Sequence, residues 1–266
     1  MTKRLDTAFQ RMRDAKQTGI VPYMTVGFPA SVEDTLAIVP AIEAAGAVAV
    51  ELGVPYSDPL ADGPTIQAAS YRAVQAGVNA HTCIDVVARL REAGVKLPLL
   101  FMGYYNPILS YGIDAYARDC ADAGLDGMIV VDLPPEESGP MRDALQRREL
   151  ALISLLAPTS SDERSEMGTR GAAGFVYCVS VTGVTGARSE LAKGLPAFVG
   201  RVRARTDLPI VVGFGVSERR HVEAIGKYAD AAAVGSALID LIDSAPPSER
   251  AARAGAFVAA LAGARR

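Results

Sequence analysis

The chain has 266 residues, half of them hydrophobic and 21% charged, with 27 basic against 30 acidic side chains and a formal charge of -3. That balance excludes the basic stripe needed to grip a phosphate backbone, so nucleic acid is not an expected partner. Three scattered cysteines, two histidines and no tryptophan exclude a disulfide framework and a His/Cys zinc cluster, and no apolar run approaches the ~20 residues of a membrane span. The opening Met1-Thr-Lys-Arg-Leu-Asp6 lacks a secretory signal's apolar segment, so a reducing cytoplasm is the expected location.

In chain order, Leu5, Phe9 and Met12 share one face of an amphipathic helix that is expected to plug one end of the fold. Eight short β-branched or apolar runs then alternate with helical patterns: Ile20–Val26, Ala47–Gly53, Leu97–Gly103, Asp126–Val131, Leu150–Leu156, Gly174–Ser180, Leu208–Phe214 and Asp230–Gly235. Ser31-Val-Glu-Asp34, Ser160-Ser-Asp-Glu163 and Ser217-Glu218 offer helix starts. Gly46, Gly77, Gly94 and Gly124 offer helix stops. Pro246-Pro-Ser-Glu opens a last helix with Phe257, Val258 and Leu261 on its apolar stripe. Continuously apolar strands fit a parallel sheet buried on both faces. Eight strand-helix units in roughly 250 residues without a linker predict one TIM (β/α)8 barrel over residues 1–266, with extra helices at both ends. A doubly wound open sheet is the rival, but Thr25-Val-Gly-Phe-Pro-Ala-Ser31 lacks the dinucleotide-binding glycine pattern.

Barrel enzymes keep their working groups at the C-terminal strand ends and in the loops that follow. In the second strand, alternation sets Glu51 with Ala49 and Gly53 on the face opposite Val48, Val50 and Leu52. Glu51 therefore points into the barrel mouth, either as a general acid with a raised pKa or as a buried carboxylate held by an ionic or amide partner. The loop Val54–Pro64 carries Asp58 and Asp62. Asp62 is able to share acid and base roles with Glu51, or to serve as an ordinary Asp-Gly turn residue. Glycines after the last three strands, at 183 and 186, at 213 and 215, and in Gly235-Ser236 before a short helix Ala237–Ile242, together resemble a phosphate cradle. Asp132 is open to a role at the site or to capping of the following helix. His221 is expected to be solvated and His81 to be a surface or capping residue near a helix start, while Cys83 and Cys120 read as core. Tyr104–Gly112 is read as an apolar loop forming a pocket wall or a protein contact surface.

These residues, with Pro22–Pro29, Glu51–Pro64, Met102–Pro107, Gly183–Ala187 and Gly213–Gly215 in order along nearly the whole chain, resemble the alpha subunit family of tryptophan synthase. The departures are mild: Tyr23 and Val216 stand where Phe or Ile is equally expected. The resemblance implies a lyase that cleaves indole-3-glycerol phosphate to indole and glyceraldehyde 3-phosphate. Glu51 is then the acid/base, and Asp62 the carboxylate facing the indole N–H. Gly186, Gly215, Gly235 and Ser236 hold the phosphate, with Tyr23, Met102, Tyr177, Thr185 and Phe214 around the ring and loop. The resemblance also implies no cofactor in this subunit, and a beta subunit carrying pyridoxal phosphate in an alpha2-beta2 complex. Pro55, Asp58, Asn106 and Pro107 are the expected partner contacts. Other phosphate-binding barrels, such as indole-glycerol-phosphate synthase or a sugar-phosphate epimerase, need a lysine or metal-binding histidines at strand ends, and none is evident. A subunit that binds a phosphorylated ligand without turning it over is the remaining alternative, and Glu51 and Asp62 argue against it.

Overall fold

The computed structural model describes residues 3–179, 194–213 and 215–263. Eight parallel strands close into a barrel in simple sequence order, each paired with the next and the last with the first. They are β1 (Gly19–Thr25), β2 (Val50–Gly53), β3 (Leu99–Gly103), β4 (Gly127–Val130), β5 (Ala151–Leu156), β6 (Val176–Val179), β7 (Ile210–Gly213) and β8 (Ala231–Val234). Around them run α1 (Lys3–Asp14), α2 (Val32–Ala44), α3 (Pro64–Gln75), α4 (Ala80–Glu92), α5 (Tyr105–Tyr111) and α6 (Ile113–Asp122). The second half adds α7 (Gly139–Gln146), α8 (Asp162–Arg170), α9 (Leu195–Arg203), α10 (Arg219–Ile225), α11 (Ser236–Ser244) and α12 (Arg250–Ala262). All eight expected strands are present, which settles the choice between barrel and open sheet. Among the described residues no helix is long and apolar enough to cross a membrane.

Side-chain alternation splits the apolar residues into two layers. Val21, Ala49, Leu100, Ile129, Ile153, Phe175 and Val211 fill the barrel interior. Ile20, Met24, Val50, Leu52 and their counterparts face the helices. The lower end of the interior is closed by α1, whose Leu5, Phe9 and Met12 are buried with the inward strand residues. Space for them comes from glycine. A Cβ at Gly19 would overlap the Met12 sulfur, and one at Gly174 would overlap Leu5. Phe9 packs on Phe175 with ring centroids 5.4 Å apart.

Two carboxylates fasten this plug, and both stand just before the strands in which the sequence pattern had included them. Asp126 accepts from Arg4 Nε at 2.8 Å, Arg91 Nη2 at 2.7 Å and the Leu99 amide at 2.9 Å. Asp230, four strands on, accepts from Arg13 Nε at 2.9 Å, the Ile210 amide at 2.8 Å and Arg203. Each end of α1 is thereby tied to the barrel floor through a carboxylate whose charge is matched and hydrogen-bonded. At the chain's other end, buried Ala254, Val258 and Leu261 seat α12, with Phe257 partly buried beside them. Arg250 of α12 reaches Asp34 of α2 at 2.9 Å.

Two local expectations change. Tyr105–Tyr111 is a helix rather than a loop, because Asp132, beyond β4, accepts the Tyr105 amide at 2.8 Å and so satisfies its first turn. Asp132 thus caps the helix after β3 instead of the one following it in sequence. His221 is buried rather than solvated, with Nδ1 accepting the Ser217 amide at 3.3 Å. The helix face, which the charged run Glu218-Arg-Arg hides, turns it inward.

Candidate active site

Strand register places the inward side chains of the upper barrel in two rows. Tyr23, Glu51, Leu100, Gly127 and Ala151 pair in succession across β1 to β5. One step nearer the C-terminal ends, Thr25, Gly53, Met102, Ile129 and Ile153 do the same. Glu51 is therefore set one layer below the rim. It is 1% exposed, and its Oε1 has no hydrogen-bond partner among the described residues. Desolvation without a compensating charge pushes its carboxyl up to about 8. At neutral pH the group holds its proton, which is the state a general acid needs. The alternative of a Glu fixed by an ion pair finds no partner in the described structure.

Asp62 reaches the same space from the loop between β2 and α3. Pro64 occupies the first turn of α3 with Gly63 as its N-cap, a position where the missing amide hydrogen costs nothing. Gln67 of that helix donates to the Asp62 carbonyl at 2.9 Å, and the Asp62 amide donates to the Pro59 carbonyl at 3.1 Å. The loop is thus folded back over the barrel. The Asp62 carboxylate accepts from the Tyr104 hydroxyl at 3.0 Å. Burial raises its pKa to about 6 and the Tyr104 bond opposes that rise. Two carboxyls of one mouth thereby differ in charge near neutrality, one protonated and one ionised, as divided acid and base roles require.

Two tyrosines mark the space between them. Tyr23 lies over Gly53 and Tyr177 over Gly213, each so close that a Cβ on the glycine would overlap the phenol oxygen. The Tyr23 hydroxyl meets Thr25 Oγ1 at 3.2 Å. Burial raises both phenols' pKa values, and the charges of Glu51 and Asp62 add to the rise, which places both tyrosines within electrostatic reach of both carboxyls. Met102 forms part of the same wall, packed between the interior and helix-facing layers.

Gly213 of β7 pairs with Ala233 of β8, which in turn lies beside β1, and Gly215 and Gly235 follow the C-terminal ends of these two neighbouring strands. Gly235 is the N-cap of α11, and its carbonyl accepts the amides of Leu238 and Ile239 at 2.9 and 3.0 Å. Ser236 opens the helix, where amides have no partner within the helix and the dipole favours an anion. Tyr23 carbons lie 3.6 Å from a Cβ built on Gly235, so the anion corner adjoins the carboxyl pocket. Thr185, Gly186 and Phe214 lie outside the described residues.

Several contributors escaped the sequence reading. Thr25, Leu100, Ile129 and Ile153 face inward by the same alternation that singled out Glu51, and counting it through every strand would have found them. Tyr104 carried no such signal, since its partner Asp62 is 42 positions away. On the outer rim, Asp58, Leu60, Asn106 and Leu109 are exposed, Pro107 is half-buried, and Pro55 is buried. Asn106 donates to the Tyr56 hydroxyl at 3.2 Å, tying α5 to the Asp62 loop. Among the described residues no three His, Cys, Asp or Glu side chains are placed to hold a metal ion.

The family model described as tryptophan synthase alpha chain matches residues 9–262. The tryptophan synthase alpha chain of Roseiflexus sp. (strain RS-1) is 53% identical over 260 residues, covering 98% of this chain and 99% of that one. Among solved structures, tryptophan synthase subunit alpha from Legionella pneumophila str. Paris superposes with a TM-score of 0.89 at 32% identity, covering 98% and 97% of the two chains. A chain of Mycobacterium tuberculosis tryptophan synthase gives 0.89 at 38% identity over the same shares. With its full-length barrel, its strand-end Glu51 and its Asp62 loop, the chain belongs to the tryptophan synthase alpha chain family.

Proposed function

We propose that this chain is a lyase that cleaves indole-3-glycerol phosphate by a retro-aldol reaction, giving indole and glyceraldehyde 3-phosphate. The observation that carries the reading is the buried carboxyl of Glu51, whose Oε1 has no hydrogen-bond partner among the described residues, held protonated near neutrality in a mouth it shares with an ionised Asp62. Glu51 delivers its proton to carbon 3 of the indole, which leaves positive charge at the ring nitrogen. Asp62 accepts the N–H and stabilises that charge as it develops. The Glu51 carboxylate then takes the proton of the adjacent hydroxyl. The O–H electrons become the carbonyl bond, the carbon–carbon bond breaks, and its electrons restore the aromatic ring. Glu51 ends protonated, ready for the next turnover.

The substrate phosphate rests on the amides of Gly215, Gly235 and Ser236, together with Gly186. The indole lies against Tyr23, Met102 and Tyr177, and Thr185 and Phe214 are the further ring and loop residues of the proposal. On this reading the chain needs no cofactor of its own and works in the cytoplasm. It hands indole to a beta subunit carrying pyridoxal phosphate, in an alpha2-beta2 complex. Asp58, Asn106 and Pro107 are the proposed contacts, and the exposed Leu60 and Leu109 supply apolar area beside them; buried Pro55 shapes the loop from beneath. The test is to incubate the purified chain with indole-3-glycerol phosphate, with and without a beta subunit, and assay indole. Indole released alone, and faster with the partner, supports the reading; no indole in either condition refutes it.

A further inference from the structure

Asp62 stands on a ten-residue connection between β2 and α3, yet its carboxylate has to meet a ring nitrogen in one place and in one charge state. Residues 57 and 58 of that loop are exposed, and Leu60 is 91% exposed, so the bonds of the Asp62 backbone to Pro59 and Gln67 fix the main chain but leave the carboxylate to be held from outside the loop. Tyr104, by contrast, is 8% exposed and stands on rigid structure at the junction of β3 and α5, where it is the N-cap residue of α5. Its hydroxyl has one proton and accepts through its lone pairs, and it uses both capacities on the same loop. It donates to Asp62 Oδ2 at 3.0 Å and accepts the Ala61 amide at 3.0 Å. Its ring packs on Tyr56, at the other end of the loop, with centroids 5.2 Å apart. Tyr56 is in turn fixed by Ser70 of α3, which accepts the Tyr56 amide at 2.9 Å and donates to its carbonyl at 3.0 Å.

We propose that Tyr104 is the positioning residue of the reaction: it pins the loop at Ala61 and aims the Asp62 carboxylate at the substrate's ring nitrogen while holding it ionised. The proposal rests on the assignment of Asp62 as the charge-stabilising carboxylate and deepens it. Among the described residues the titratable groups that face Asp62 from the surrounding elements are Tyr23 from β1, Glu51 from β2, Tyr104 itself and Tyr177 from β6, with Asp132 acting on Tyr104. All of these, among the described residues, are neutral or anionic. The Tyr104 hydrogen bond is accordingly what offsets burial and keeps the Asp62 proton off. A substrate N–H arriving at the carboxylate finds one oxygen already oriented by Tyr104 and the other without a hydrogen-bond donor among the described residues.

The test is the pH dependence of kcat/KM for indole-3-glycerol phosphate cleavage in wild type, Tyr104→Phe, Tyr104→Leu and Asp62→Asn, all as the full-length chain with its beta partner. In Tyr104→Phe the ring and its packing remain and only the hydroxyl is lost. Its acidic limb is expected to move up by about one pH unit, so that turnover falls about fivefold at pH 6 and about twofold at pH 7. Tyr104→Leu, which also loses the ring, is expected to lower kcat at every pH. A Phe variant whose acidic limb stays in place, or whose loss is uniform across pH, overturns the positioning role and leaves Tyr104 a packing residue. The Asp62→Asn profile separates the two levels: wild-type turnover in that variant removes the Asp62 assignment and Tyr104's role with it. An inactive Asp62→Asn beside an unaltered Tyr104→Phe removes only the latter.

Discussion

Replacing Glu51 by Gln tests the electrostatics of the pocket without any substrate. In the unfolded chain the carboxyl has its ordinary value of 4.5, and in the folded chain it is pushed up to about 8. Below the lower value both states hold the proton, and the stability associated with the neutral group is fully present. Between the two values the unfolded chain releases a proton that the native chain keeps, so stability falls as pH rises, and the loss levels off once the native carboxyl ionises above about pH 8. At 1.36 kcal/mol per unit, an interval of about 3.5 units corresponds to a loss of about 5 kcal/mol in full, with roughly 3 kcal/mol already lost at pH 7. Glutamine has the same shape and cannot ionise. Its stability advantage over wild type should therefore grow from about 1 kcal/mol at pH 5 to between about 4 and 5 kcal/mol at pH 9. Urea unfolding followed by far-ultraviolet circular dichroism measures this directly; the chain has no tryptophan to report by fluorescence. Parallel stability curves for the two proteins across that range would show that the Glu51 carboxyl is solvated or paired, and the reasoning would fail.

Other substitutions probe separate parts of the account. Asp62→Asn should lower turnover by about 10²–10³ while leaving glycerol phosphate binding intact, as read by steady-state kinetics and calorimetry. Gly53→Ala places a methyl against the Tyr23 ring; it should cost about 1–3 kcal/mol of stability and raise KM, seen by unfolding and kinetics on one preparation. Asp126→Ala leaves the Arg91 guanidinium, 15% exposed, without its carboxylate. It should destabilise the barrel by about 3–5 kcal/mol with little change in kcat, measured at a temperature where the variant stays folded.

The barrel was legible because its signals are local. Strand runs, capping residues and the glycines at 46, 77, 94 and 124, which adopt φ values from 82° to 90° after their helices, all repeat within a few positions. Glu51 was legible for the same reason, since period-two alternation along one strand decides which way it points. What remained hidden depends on elements meeting in space. Asp126 and Asp230 look like strand residues until Arg4 and Arg13 of the plug helix reach them, 122 and 217 positions away in sequence. The apolar stretch after β3 looks like a loop until Asp132 from beyond β4 supplies the missing cap. Asp62 looks like a turn residue until the Tyr104 hydroxyl and the Gln67 amide pin its loop over the barrel.

The central claim is that Glu51 moves the proton that breaks the carbon–carbon bond. Its most direct test is a single-turnover measurement of indole formation from saturating indole-3-glycerol phosphate by wild type and Glu51→Gln, with glycerol phosphate affinity determined for both. The account predicts unchanged phosphate binding and a loss of cleavage of about 10³-fold or more. Cleavage by Glu51→Gln at the wild-type rate would contradict it.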